Sequence, residues 1–158
     1  MKRLGTRFLL LAILWSIETT ASAQTGMSTN EFQTNLILSS VKSYLGTRYQ
    51  SGGMSRDGID GIRLIYFNYN QGGVEIPGTY AGIADFGREI KFKRIRPGDL
   101  VFFESSLPGE DHPNVGIITV VEKDKVRFIH VSVSRGVIES DLLSDYYFSS
   151  VSTYRRVI

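Results

Sequence analysis

The reactive side chains set the first limits: this sequence holds two histidines, His112 and His130, and no cysteine. Thiolate attack and disulfide stapling both need a sulfhydryl, so neither is open to it. Glu110 and Asp111 precede His112, and a metal site with His130 can be drawn on paper. The four follow no recognised ligand spacing, so no metal is expected, and no motif for a cofactor is found. A hydroxyl nucleophile at Ser51 or Ser55 would need an adjacent base to take its proton.

The N-terminal stretch has to be set apart before the elements that hold these residues can be placed. Lys2, Arg3 and Arg7 precede an apolar run from Phe8 to Ile17, and Ala21-Ser22-Ala23 offers a small-x-small cleavage site. That layout predicts a signal peptide over 1–23, an apolar run too short to span a bilayer, and export to a periplasm or the cell exterior. No cysteine follows the cleavage site, so no lipoprotein is expected. The 158 residues carry 18 Lys and Arg against 16 Asp and Glu. Three of those bases and Glu18 fall in the first 23 residues, leaving fifteen of each sign. The basicity belongs to the leader, and a nucleic-acid partner gains no support.

The remaining length suits one domain. Residues 24–35 read as a polar leader and the start of a first helix. Ser28 and Glu31 make a capping box, with Phe32, Leu36, Ile37, Val41 and Tyr44 at helical spacing and Gly46 as its C-cap. Glycines at 46, 52, 53, 58 and 61 mark a turned loop, and 61–70 predicts a second helix ended by Gly72-Gly73. From Leu100 the texture changes to strands: 100–103, 115–121, 126–131, 136–139 and 151–158. Phe32, Phe102, Phe103 and Phe128 are expected in the core. Helices followed by a strand meander predict an α+β domain over 36–158, with the helices packed on a central antiparallel sheet.

Several segments, in order, resemble the NlpC family of papain-like cell-wall peptidases. They are Tyr44-Leu45-Gly46-Thr47-Arg48-Tyr49, Gly52-Gly53, Asp57-Gly58-Ile59-Asp60, Pro97-Gly98-Asp99-Leu100-Val101-Phe102-Phe103, Val115-Gly116-Ile117 and Phe128-Ile129-His130. The resemblance implies a papain-like fold and a site for the stem peptides of peptidoglycan. In active members an Asp-Cys-Ser-Gly pattern opens a helix and a histidine precedes Val-Gly-Ile. Here Asp60 is kept, Gly61 takes the cysteine position, and Ile62 and Arg63 replace the small pair. Asn114 takes the histidine position and cannot act as a base. Ser51 stands for an oxyanion-supporting tyrosine, and His130 is the retained third residue. Pro77-Gly78-Thr79-Tyr80 stands before the family's next helix.

On that resemblance the chain is expected not to be an enzyme, because losing the nucleophile of a triad hydrolase costs about a million-fold in turnover. Asp60, Arg63, Tyr49 and His130 become candidate ligand contacts, with Asp60 within reach to pair with Arg63. His130 reads first as a buried, hydrogen-bonded histidine. Two roles are implied, with residual peptidoglycan hydrolysis as a third and least favoured one. One is a module that holds stem peptides, and the other is a pseudoenzyme that regulates an envelope protein or an active hydrolase, with Ile62 and Arg63 obstructing the cleft.

Overall fold

The computed structural model describes residues 26–104 and 115–158. The expected signal peptide, Glu110, Asp111, His112 and Asn114 lie outside the described residues.

Helix α1 (Thr29–Lys42) begins as its sequence predicts. The Ser28 hydroxyl accepts from the Glu31 amide at 3.2 Å, and the Glu31 carboxylate accepts from the Ser28 amide at 2.9 Å. These bonds satisfy donors that a helix start leaves free. The other end corrects the expectation: the helix stops at Lys42 with Ser43 as its cap. Gly46 lies further on, at φ +84, where its amide donates to the Val137 carbonyl at 2.9 Å. It ties the loop to the sheet. Ile37 and Val41 are fully buried, but Phe32 is 51% exposed and is corrected as a core residue.

A two-strand ribbon follows, β1 (Met54–Ser55) with β2 (Gly58–Ile59), and leads into α2 (Gly61–Gln71). Leu64, Ile65 and Tyr69 repeat at helical spacing, have no exposed surface, and fix α2 in the core. Helix α3 (Tyr80–Asp85) is capped by Thr79, whose hydroxyl accepts from the Gly82 amide at 3.2 Å. The sheet is formed by β3 (Arg88–Ile90), β4 (Leu100–Phe103), β5 (Val115–Glu122), β6 (Lys125–Ser132), β7 (Gly136–Asp141) and β8 (Val151–Arg156). A 3-10 turn, Phe92–Arg94, precedes β4, and α4 (Asp145–Phe148) precedes β8.

The strand order is β3-β8-β4-β5-β6-β7, and every neighbouring pair is antiparallel. Both faces of the sheet are covered. Ile117, Ile129 and Val131 face α1 and α2 with Ile37, Leu64 and Tyr69. Val101, Phe103, Ile118 and Phe128 pack on the other side with Tyr147 and Tyr154. Each such side chain taken from water contributes roughly 1.5–3 kcal/mol, so the two layers hold the α+β fold together.

The Pro97-Gly98-Asp99 turn joins these layers. Gly98, at φ +91, takes a left-handed conformation that favours glycine. The Asp99 carboxylate accepts from the Arg156 guanidinium at 2.8 and 2.7 Å and from the Arg96 amide at 2.6 Å. Arg156 also donates to the Arg94 carbonyl at 2.7 Å, and the Tyr69 hydroxyl donates to the Gly98 carbonyl. The turn thus pins the last strand through Asp99 and the second helix through the Gly98 carbonyl.

Candidate functional site

The head of α2 is built by Asp60. Its Oδ1 accepts from the Arg63 amide at 2.8 Å and its Oδ2 from the Gly52 amide at 3.1 Å. The first bond caps the helix, and the second fastens the Gly52-Gly53 turn beside it. Asp60 therefore positions the site through backbone donors. No side-chain ion pair joins it to Arg63 among the described residues; the Arg63 guanidinium lies beside Gly78 instead.

Gly61 is the first residue of α2. Among the described residues, its own chain neighbours and helix backbone aside, no atom lies within 4 Å of a Cβ built on it, so on that side the helix start is open. Ile62 is half-buried and packs on the layer beneath the helices. A Cβ placed on Gly78 would sit 3.6 Å from an Arg63 guanidinium nitrogen and 3.6 Å from the Tyr66 ring, so Arg63 reaches across to the 77–79 segment. The Arg63 side chain comes no closer than 4 Å to a Cβ built on Gly61. Tyr49 is half-buried, bridges Ile59 and packs on the same layer. Ser51 is exposed in the turn held by Asp60. A helix start of this kind presents unpaired N–H donors and a positive partial charge, suited to a peptide carbonyl or carboxylate.

His130 is elsewhere. It is fully buried, with Nε2 2.9 Å from the Ser140 hydroxyl, its ring stacked 4.8 Å from Phe128 and edge-on to Tyr147 at 5.4 Å. Those aromatics belong to the layer on the far side of the sheet from α2. Tyr49, Ser51, Asp60, Gly61 and Arg63 gather at one end of α2, while the contacts described for His130 are with Ser140, Phe128 and Tyr147.

The pairing of Asp99 with Arg156 was not foreseen. The Pro97-Gly98-Asp99 turn is visible in the sequence, but an arginine 57 residues later carries no local sign of its partner. The hydrogen bond to Asp99 holds the Arg156 guanidinium above the usual arginine range. Burial, aided by the Asp99 charge, pushes Tyr69 up as well.

The NlpC/P60 family profile matches residues 46–156. The probable endopeptidase NlpC of Escherichia coli K12 is 31% identical over 118 residues, covering 74% of this chain and 73% of that protein. The murein DD-endopeptidase MepS/murein LD-carboxypeptidase of the same strain is 29% identical over 123 residues, covering 77% of this chain and 62% of that protein. An NLP/P60-family structure from Staphylococcus aureus Mu50 superposes with a TM-score of 0.65 at 27% identity, over 88% of this chain and 45% of that one.

These findings overturn the expectation that the chain is not an enzyme: its relatives are named endopeptidases, and the match runs through the whole domain. That expectation ran from replaced side chains at Gly61, Asn114 and Ser51 to the function of the whole, while the fold and the helix cap are in place. The absence of cysteine remains a fact of composition. It restricts the nucleophile, not the class.

Proposed function

The chain belongs to the NlpC/P60 family, and from that premise we propose that the head of α2 is the cleft of a peptidoglycan endopeptidase-type domain that takes the stem peptides of the cell wall. The observation that carries this is the free space over Gly61 at a helix start capped by Asp60. Stem peptides carry carbonyls and free carboxylates. The N–H groups of the first turn and the Arg63 guanidinium beside it are matched donors. Asp60 holds the turn and the helix in register, and Tyr49 supports the ribbon behind them. The alternative, a partner protein bound in place of peptide, called for a cleft blocked by Ile62 and Arg63. Ile62 packs inward and Arg63 reaches toward Gly78, which favours the peptide.

The ligand lies outside the cytoplasmic membrane, in keeping with the export expected from residues 1–23. Since the chain has no cysteine, cutting a bound stem peptide must use a nucleophile other than a thiolate of its own. The test incubates the protein with purified peptidoglycan. The expected result is co-sedimentation, together with muropeptide-induced NMR shifts at the amides of Gly61, Ile62 and Arg63. Gly61→Trp, which fills the free space, is expected to weaken binding at least tenfold with the fold intact. Absence of pelleting and of shifts would sink the proposal. Chromatography of the supernatant from the same incubation measures release of peptide fragments and identifies the bond cut.

A further inference from the structure

Beyond residue 23 the two signs of charge balance, yet the cations are not evenly spread. Arg88, Lys91, Lys93, Arg94 and Arg96 fall within nine residues that hold a single acid, Glu89. All five are exposed and line one basin of about 1030 Å³ at the β3 edge of the sheet. Arg88 and Arg96 also border the adjoining hollow beside Asn30 and Ile158. None of the five forms a salt bridge with a described carboxylate. Glu89 stands opposite Arg155 on the neighbouring strand, which offsets its charge. Arg156 at the floor is already neutralised by Asp99. A third of the cations beyond residue 23 therefore converge on a concave surface with their charge unspent.

The basin is separate from the stem-peptide cleft. It adjoins the Pro97-Gly98-Asp99 turn, which the Tyr69 hydroxyl contacts near the end of α2, while Gly61 begins that helix. Eight residues at 1.5 Å rise set the two ends about 12 Å apart.

We infer that this basin is a binding site for a linear polyanion that carries phosphate groups along a flexible chain. Three guanidinium forks suit phosphate oxygens, and two ammonium groups add mobile point charges. Convergence on a hollow fits a flexible chain that can enter it. A planar bilayer would meet only the rim.

The test titrates the full domain with two probes, long-chain inorganic polyphosphate and poly(glycerol phosphate), across salt concentrations. Binding is expected to weaken with a log–log salt slope of about −3.5, from roughly 0.7 per neutralised phosphate over five contacts. The triple variant Lys91→Gln, Lys93→Gln, Arg94→Gln is expected to lose at least tenfold in affinity and about two units of slope. Its co-sedimentation with peptidoglycan should be unchanged, which separates this site from the cleft. A control, Lys123→Gln, Lys125→Gln, Arg135→Gln, removes the same charge elsewhere and is expected to bind normally. Equal loss in both triple variants, or no binding of either probe at low salt, would overturn the inference. So would binding confined to vesicles of anionic phospholipid, which would assign the surface to a membrane instead.

Discussion

Gly61 and His130 are the two residues on which the family resemblance bears most directly, and the fold treats them oppositely. Gly61 begins a helix with no other described residue within 4 Å of a Cβ built on it, so Gly61→Cys should be accepted without strain. Replacing this helical glycine by cysteine should raise stability by no more than about 0.3 kcal/mol, measured by denaturant unfolding. The introduced thiol, at a helix N-terminus, should ionise below the ordinary value of about 8.5, which the pH dependence of its reaction with a disulfide reagent measures. An ordinary or raised value would mean that the helix start does not polarise the space above it. His130 is packed between Phe128, Tyr147 and Ser140. His130→Ala should therefore cost about 2–4 kcal/mol while leaving affinity for muropeptides unchanged. Weaker binding by a folded variant would return this residue to the cleft.

Among the elements, the turn before β4 and the start of α1 are fastened by charge, and each makes a prediction. Asp99→Ala strands a buried guanidinium and should cost about 3–5 kcal/mol in urea unfolding. At the start of α1, the hydrogen bonds from Ser28 hold the Glu31 carboxyl below the usual glutamate range. A carboxyl lowered on folding stabilises above its unfolded pKa, and that contribution goes as pH falls through the folded one. Protection of the first-turn amides of α1, relative to their intrinsic exchange rates, should therefore fall as Glu31 is protonated at acid pH, and Ser28→Ala should remove that dependence. At the alkaline end, burial pushes Tyr154 up to about 12 and raises Tyr69 further. Unfolded tyrosines release protons first, so stability should fall as pH rises beyond about 10, with absorbance at 295 nm changing as the protein unfolds. The long elements were legible because their patterns are local: the Ser28 box, the apolar spacing of α2, the β-branched runs. The short β3 and α4 were not legible, since a few residues hold little periodicity and take their shape from neighbours distant in sequence.

For the molecule as a whole, the limit of legibility lies in the sheet. Strands β4 and β6 are buried on nearly every residue, so apolar and polar positions do not alternate, and the sequence cannot say which side His130 faces. Phe32 shows the converse: helical spacing marks a stripe, but the partner alone decides its width, and α1 is gripped along Ile37 and Val41. Of the candidate site, the helix opening at Gly61 could be read from the chain, whereas Asp60 was expected to pair with Arg63 and instead caps the helix through the Arg63 amide. The free space over Gly61 and the grouping of five cations in one basin could not, because both are properties of surfaces. The position of β8 has a further consequence for the order of folding. The strand formed from residues 151–156 is wedged between β3 and β4, which lie about sixty and fifty residues earlier in the chain. Those two strands stay unpaired on that side until residues 151–156 reach them, so joining β3 to the rest of the sheet is a long-range step that waits for a large loop to close.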